Sequence, residues 1–273
     1  MSSSYSSEKP HSFSLGIADF TIRVQCNHGR LAEVMDARYA EFPPGLEESF
    51  NAQVEWVGKE RSSSLLDTKT DFHDGILQFS APGYHGFIDE NAGQGYLELS
   101  SAQPVEDIDY FLRVVLALLA PKIGGVLLHT AGIVRDKQTY LFFGHSGSGK
   151  TTICRASMDD YLILNDDLIL LKPKGDTWLA YGTPFWNPTQ IKPTNQFAPI
   201  AGVYHLIQDK SVFTQELGAG KATAALLSNV PVIPQDPVHS IQLLEVLGQI
   251  RRNIPVYELH FLPDNSFWDV IPG

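Results

Sequence analysis

Cysteine is scarce. Only Cys26 and Cys154 occur in 273 residues, far apart in sequence, and both read as free thiols of a reducing compartment. Cys154, near a predicted helix start, reads as a buried small apolar residue rather than a nucleophile. Basic residues are in deficit, with 20 Lys and Arg against 31 Asp and Glu and a formal net charge of -11. That balance excludes a general nucleic-acid or anionic-membrane surface. Long unbroken apolar runs are missing too. The longest, VVLALLAPKIGGVLL at 114–128, is interrupted by Pro121, Lys122 and two glycines, so it is not a membrane span. The first dozen residues, MSSSYSSEKPHS, carry no apolar segment of a secretory signal. They read as a disordered lead-in (1–12), and a cytoplasmic protein is expected.

What is present is a 43% hydrophobic chain, long enough for one large domain or two modest ones. Up to about residue 105 it has 7 Lys/Arg and 15 Asp/Glu; the remainder has 13 and 16. FSLGIADFTIRVQC (13–26) alternates in pieces. DGILQFS (74–80), GYHGFIDE (83–90) and GYLELS (95–100) are short segments between Gly and Pro turn signals. These predict a small antiparallel β-rich domain over 13–105. His28, His73 and His85 are too scattered there to suggest a metal site.

A helix is predicted over 106–121, with Ile108, Phe111, Leu112, Val115, Leu118 and Leu119 on one face. Acidic residues fill its first turn and Pro121 stops it. It opens a second domain, 106–273. GGVLLHTAGIVRD (124–136) and QTYLFFG (138–144) read as two β segments around Arg135-Asp136-Lys137. The second runs into GHSGSGKTT, which fits the phosphate-loop pattern with Gly144, Gly149, Lys150 and Thr151. In this loop, spanning Gly144, His145, Ser146, Gly147, Ser148, Gly149, Lys150, Thr151 and Thr152, the glycines allow successive N–H groups to face a phosphate. A helix starting at Lys150 adds its positive end. Lys150 would neutralise β- and γ-phosphate charge, the Thr151 hydroxyl would meet Mg²⁺, and Thr152 is in reach of another phosphate oxygen. A chance match is the competing reading; the apolar strand upstream and the full Gly/Lys/Thr set weigh against it.

Sixteen positions past Lys150 comes Asp166, in YLILNDDLILLKP (161–173). Asn165, Asp166 and Asp167 interrupt an otherwise apolar stretch. Two adjacent carboxylates in a buried sheet cost several kcal/mol unless cations compensate them, and nucleotide-bound Mg²⁺ is a natural compensator. Neighbours on a strand face opposite ways, so one aspartate can hold metal while the other serves as base. The competing reading is a polar turn joining a hairpin. The gap leaves room for one short helix, about Lys150 to Asp160, and one strand. Downstream, 218–229 reads as a short helix whose Lys221 faces solvent. Residues 236–255 read as a helix with Asp236 at its N-cap and a stripe of Ile241, Leu244, Leu247 and Ile250. Arg251 and Arg252 in its last turn suit the helix dipole.

VLLHTAGIV (126–134), YLFFGHSGSGKTT (140–152), LILNDDLILL (162–171), YGTPFW (181–186), PIAGVYHL (199–206) and VYELHFLPDNSFWDVI (256–271) together resemble the HPr kinase/phosphorylase catalytic domain. More closely they resemble HPr-kinase-like proteins without that enzyme's usual N-terminal domain. The loop is also similar to that of phosphoenolpyruvate carboxykinase. The resemblance covers roughly 150 residues. It implies an α+β chain whose second domain is a mixed, twisted β-core with a P-loop and few helices. It implies an ATP phosphate loop at 144–152, an acidic pair at Asp166 and Asp167, and His129 on the preceding strand beside the catalytic aspartate. Read alone, His129 is a core histidine; GTPF (182–185) is only a turn, and the resemblance sets it near the active site. Hexamers occur in the parent family, so a homo-oligomer is among the implications.

There are departures. The parent loop ends in Lys-Ser, and no stretch resembles its phosphorylase and HPr-docking signature. Neither that reverse activity nor HPr as substrate carries over. Asn165, and Trp186 to Pro188, stand where relatives carry other residues and would reshape the acceptor pocket. The expectation is an ATP- and Mg²⁺-dependent kinase acting on a hydroxyl. Thr151 and Asp166 would be at the metal, and Asp167 would be the base, assisted by His129 and Lys150. The acceptor is a serine of a peptide or small protein, or else a small hydroxyl metabolite. A non-catalytic nucleotide-binding regulator is the alternative. A carboxykinase-like enzyme would need a transition-metal site and a basic pocket, and no such constellation is visible.

Overall fold

The computed structural model describes residues 11–59, 68–186, 191–232 and 236–271. Residues 1–10 of the expected lead-in lie outside this set; His11 and Ser12 already belong to a strand. The chain is a mixed α/β protein with two sheets and few helices. It divides into two compact units, Met1–Leu112 and Arg113–Gly273. The division falls inside a helix rather than at residue 105.

The first unit contains β1 (His11–Ile17), β2 (Phe20–Cys26), α1 (Gly29–Tyr39), β3 (Phe50–Gly58), β4 (Lys69–His73), β5 (Ile76–Ala81), β6 (Tyr84–Asp89) and β7 (Gln94–Ser100). Their order is β1-β2-β3-β7-β6-β5-β4. The sheet is mixed, not antiparallel as expected. Hairpins join β1 to β2 and β4 through β7, but β3 runs parallel to both β2 and β7. The cause is α1, which returns the chain to the starting edge of β2 before β3 begins. The sequence reading did not include this helix. Its N-cap is His28, whose ring nitrogen accepts from the Leu31 N–H, an uncommon cap outside the usual Ser/Thr/Asp/Asn signal.

The helix over Pro104–Leu119, α2, starts two residues before the expected position and gives way to a short 3₁₀ turn. All six residues of its predicted stripe are buried. Phe111 reaches the sheet at Gly95, where a Cβ would lie 2.9 Å from the Phe50 ring and 3.2 Å from the Phe111 ring. One residue face on, Asp109 is buried. It accepts from the Tyr39 hydroxyl at 2.8 Å and pairs with Arg38 at 3.0 Å.

The second unit holds β8 (Val126–Arg135), β9 (Gln138–Phe143), α3 (Lys150–Ser157), β10 (Leu162–Asn165), β11 (Leu168–Lys174), β12 (Thr177–Gly182), β13 (Phe197–Gln208), β14 (Phe213–Glu216), α4 (Ala219–Leu227), α5 (Pro237–Asn253) and β15 (Val256–Phe261). β8 and β9 form a hairpin whose two turn residues, Asp136 and Lys137, have φ of 51° and 65°, as a two-residue turn of this hand requires. β9 and β15 flank β13, both parallel to it. Core residues cover both sheet faces. Ile153 and Cys154 of α3 pack with Phe142, Tyr204 and Phe261, while α4 and α5 pack against Leu141, Phe143 and Val203. A strand covered on both faces must be apolar throughout, which explains TYLFF. On α5 the buried positions are Leu243, Val246, Leu247 and Ile250. Ile241 and Leu244 of the expected stripe are exposed; the helix is turned so that the i, i+3, i+4, i+7 set starting at Leu243 faces the core.

Removing the Asp109 carboxylate would leave a largely buried guanidinium and a buried phenol without that partner. Asp109→Ala is expected to lower unfolding free energy by about 3 kcal/mol, read from urea midpoints. A change within error would mean that this pair does not hold α1 to α2.

Candidate functional site

The site grows from the end of β9. Gly144, Gly147 and Gly149 have φ of 154°, 80° and 113°. Gly149 is the N-cap of α3, and a Cβ there would sit 2.5 Å from the Phe261 ring. Its positive φ and this close approach make glycine the residue that fits. Lys150 is buried and curls back, donating from Nζ to the Gly144 carbonyl at 2.8 Å and the His145 carbonyl at 3.4 Å. Burial lowers its pKa, against the pull of the Asp167 and Asp166 charges. Gln208, at the end of β13, donates to the Gly147 carbonyl. The base of α3 is fixed by Trp268, whose indole N–H donates to Ser157 at 3.0 Å.

β10 and β11 do not form a hairpin with each other. Both are antiparallel to β8, and Asn165↔Gly132 and Leu168↔His129 keep one register. They are two parts of one line, interrupted by Asp166 and Asp167. Asn165 builds the interruption and is fully buried. Its Nδ2 donates to the carbonyls of Thr183 and Phe185, each at 2.9 Å, and its Oδ1 accepts from the Asp167 N–H at 2.7 Å and the Leu168 N–H at 3.3 Å. Asn165 ties the acidic turn to the turn at 182–185. Trp186 is described, whereas Asn187 and Pro188 lie outside the described residues.

The two aspartates face different partners. Asp166 Oδ2 accepts from the Thr151 hydroxyl at 2.8 Å, and its buried Oδ1 has no hydrogen-bond partner. Burial pushes its pKa up, the Thr151 bond opposes this and the Asp167 charge adds to it. Asp167 Oδ1 lies 2.9 Å from His129 Nε2, and Oδ2 lies 3.0 Å from an Arg113 nitrogen on α2. Burial alone would raise this carboxyl, but the His129 hydrogen bond and the Arg113 charge outweigh it and hold it below the usual value.

An open cleft is lined by His129, Ser146, Gly147, Gly149, Lys150, Thr151, Thr152, Asp166 and Asp167. Of the other expected residues, Gly144 and His145 brace Lys150 from behind, and Ser148 is buried with an unpartnered hydroxyl. A carboxylate with an unpartnered oxygen and a lysine that line one cleft suit a ligand carrying both a metal and an anion. Cys154 is fully buried and its thiol pKa is pushed well up by burial, which makes it a packing residue and a poor nucleophile. Arg113 was missed. Its one signal is that it is the single basic residue of α2, and helical periodicity does not say what a flanking charge meets.

No family model matches this chain, and no curated protein matches it. Among solved structures, an HPr(Ser) kinase/phosphatase from Coxiella burnetii is similar at a TM-score of 0.30 and 13% identity, over 52% of this chain and 89% of that one. A likeness of that size fixes neither family nor reaction, and the functional reading rests on the site.

Burial raises the Asp166 pKa, so its ionised form opposes folding above the ordinary carboxylate value and ceases to do so as it is protonated at lower pH. Asp166→Asn is expected to stabilise the ligand-free protein at pH 7 by about 1 kcal/mol, the order of an unmade bond to a buried polar atom. The gain should vanish near the acid end of the stability curve. Thermal unfolding across pH checks this; a loss of stability at pH 7 would show that Asp166 is already compensated.

Proposed function

We propose that the C-terminal unit is an ATP- and Mg²⁺-dependent phosphotransferase that acts on a hydroxyl, with a serine of a peptide or small protein as acceptor. One observation carries the reading: a buried aspartate, one of whose oxygens has no hydrogen-bond partner, lines the same cleft as a glycine-rich loop, its lysine and the threonine that follows. The loop N–H groups and Lys150 would hold the β- and γ-phosphates. Thr151 and Asp166, already paired, are the residues that would hold the metal. Mg²⁺-ATP supplies the phosphoryl group and neutralises charge as it moves. The acceptor oxygen bonds to the γ-phosphorus, the bond to ADP breaks, and the hydroxyl proton passes to Asp167, assisted by His129. Asp167 is a weak base while both its oxygens are occupied. That suffices, because phosphoryl transfer passes through a loose transition state in which alignment counts for more than basicity.

The protein is incubated with ATP, Mg²⁺ and peptide pools or extract from the source cell, and transferred phosphate is mapped by mass spectrometry. Labelling on serine is expected. Asp167→Asn should cut transfer roughly 10²-fold or more while leaving nucleotide affinity within about twofold. Full transfer by that variant would sink the assignment of Asp167. Tight ATP binding with no acceptor labelled would instead favour a nucleotide-binding regulator.

A further inference from the structure

We propose that Arg113 is a positioning residue of this site. From α2 it fixes the Asp167 carboxylate, together with His129, in the orientation that the acceptor hydroxyl meets. The inference rests on the phosphotransferase reading and extends it to a residue outside the loop and the acidic pair.

The geometry is specific. Each oxygen of Asp167 has its own partner, His129 from β8 at 2.9 Å and Arg113 from α2 at 3.0 Å. Rotating the carboxylate would break both bonds. Arg113 is itself held, its guanidinium lying 5.7 Å from the centre of the buried Phe185 ring. The Phe185 carbonyl accepts from Asn165, and the same asparagine accepts from the Asp167 N–H. One side chain therefore fixes both the backbone that carries the carboxylate and the platform beneath the guanidinium. Asp166, one residue away, shows the opposite arrangement, with one oxygen left open. An oxygen left open suits a ligand, whereas a carboxylate clamped on both sides suits a fixed orientation. Arginine fits the place because its planar group can lie over an aromatic ring and direct its N–H bonds at once; lysine keeps the charge but loses that direction.

The test uses the full chain with Arg113→Met, Arg113→Lys, His129→Gln and the double variant Arg113→Met/His129→Gln. Mg²⁺-ATP affinity is measured by calorimetry. Phosphate release from ATP without an acceptor, water standing in for the hydroxyl, gives kcat and KM. Arg113→Met should lower kcat about 10²-fold, the scale of a misplaced catalytic group. KM and Kd should stay within about twofold, and Arg113→Lys, which also guards against a variant that fails to fold, should recover part of the loss. The double variant should lose less than the product of the single losses, because both residues act on one carboxylate. An unchanged kcat, or a loss confined to Kd, overturns the proposal. A crystal structure of Arg113→Met gives a readout without turnover. Asp167 is expected to leave its position; a carboxylate still in place beside His129 overturns the proposal whatever the rates. If the wild-type protein binds Mg²⁺-ATP and labels no acceptor while Asp167 is displaced in the variant, the phosphotransferase reading fails and the positioning role stands.

Discussion

Two carboxylates sit inside a mostly apolar line of β-strand, and the second unit is organised around what that demands. Desolvated carboxylates are tolerated only where bonds or cations compensate them. Asp167 is compensated within the protein, by Arg113 and His129. Asp166 is compensated only in part, by the Thr151 hydroxyl and by backbone N–H groups that include that of Ile191. The strand line cannot continue its regular pairing past these residues, so Asn165 replaces the missing ladder bonds with side-chain ones. Its two functional ends reach both strand segments and the turn after β12, which makes the acidic turn rigid without a metal. Thr183 contributes to the same knot by donating its hydroxyl to the Leu168 carbonyl.

The glycine-rich loop depends on a different kind of support. Its glycines allow the path, but the path is held by apolar residues behind it and by Lys150 in front. Phe261 of β15 sits where a side chain at position 149 would go, and Trp268 anchors the far end of α3. The closing segment of the chain thus completes the packing under a loop more than a hundred residues earlier.

Those differences in support explain which parts could be read from the residues. The loop, β9 and the helix after it are local: a glycine pattern, a doubly buried strand and a short amphipathic turn follow one another in sequence. The hairpin β8–β9 is local too, set by two turn residues. Parallel pairing of β3 with β2 and β7 is not local, and nothing in the segments distinguishes a parallel neighbour from an antiparallel one. The helix α1 was hidden by its histidine cap and by a sequence, GRLAEVMDARY, of modest periodicity. On α5, exposed Ile241 and Leu244 drew the stripe toward themselves, although burial follows Leu243. The bracing role of Asn165 and the place of Arg113 share one reason for not being read from the sequence. Their roles depend on partners 18 to 54 positions away, and no spacing rule connects a polar residue to such partners.

The unequal treatment of the two aspartates has a consequence for how such a site is maintained. A carboxylate satisfied by the protein contributes to folding, while one left open opposes it. The pair therefore places a stabilising group and a destabilising one at adjacent positions, and only a ligand that brings positive charge relieves the second. Selection for stability alone would favour replacing Asp166 with an uncharged residue, since Thr151 could still hydrogen-bond to an amide. A site that keeps the open carboxylate beside Lys150 and the loop is costly unless it is filled. Phosphate binding needs the loop amides and the lysine, and neither requires a second carboxylate clamped between an arginine and a histidine.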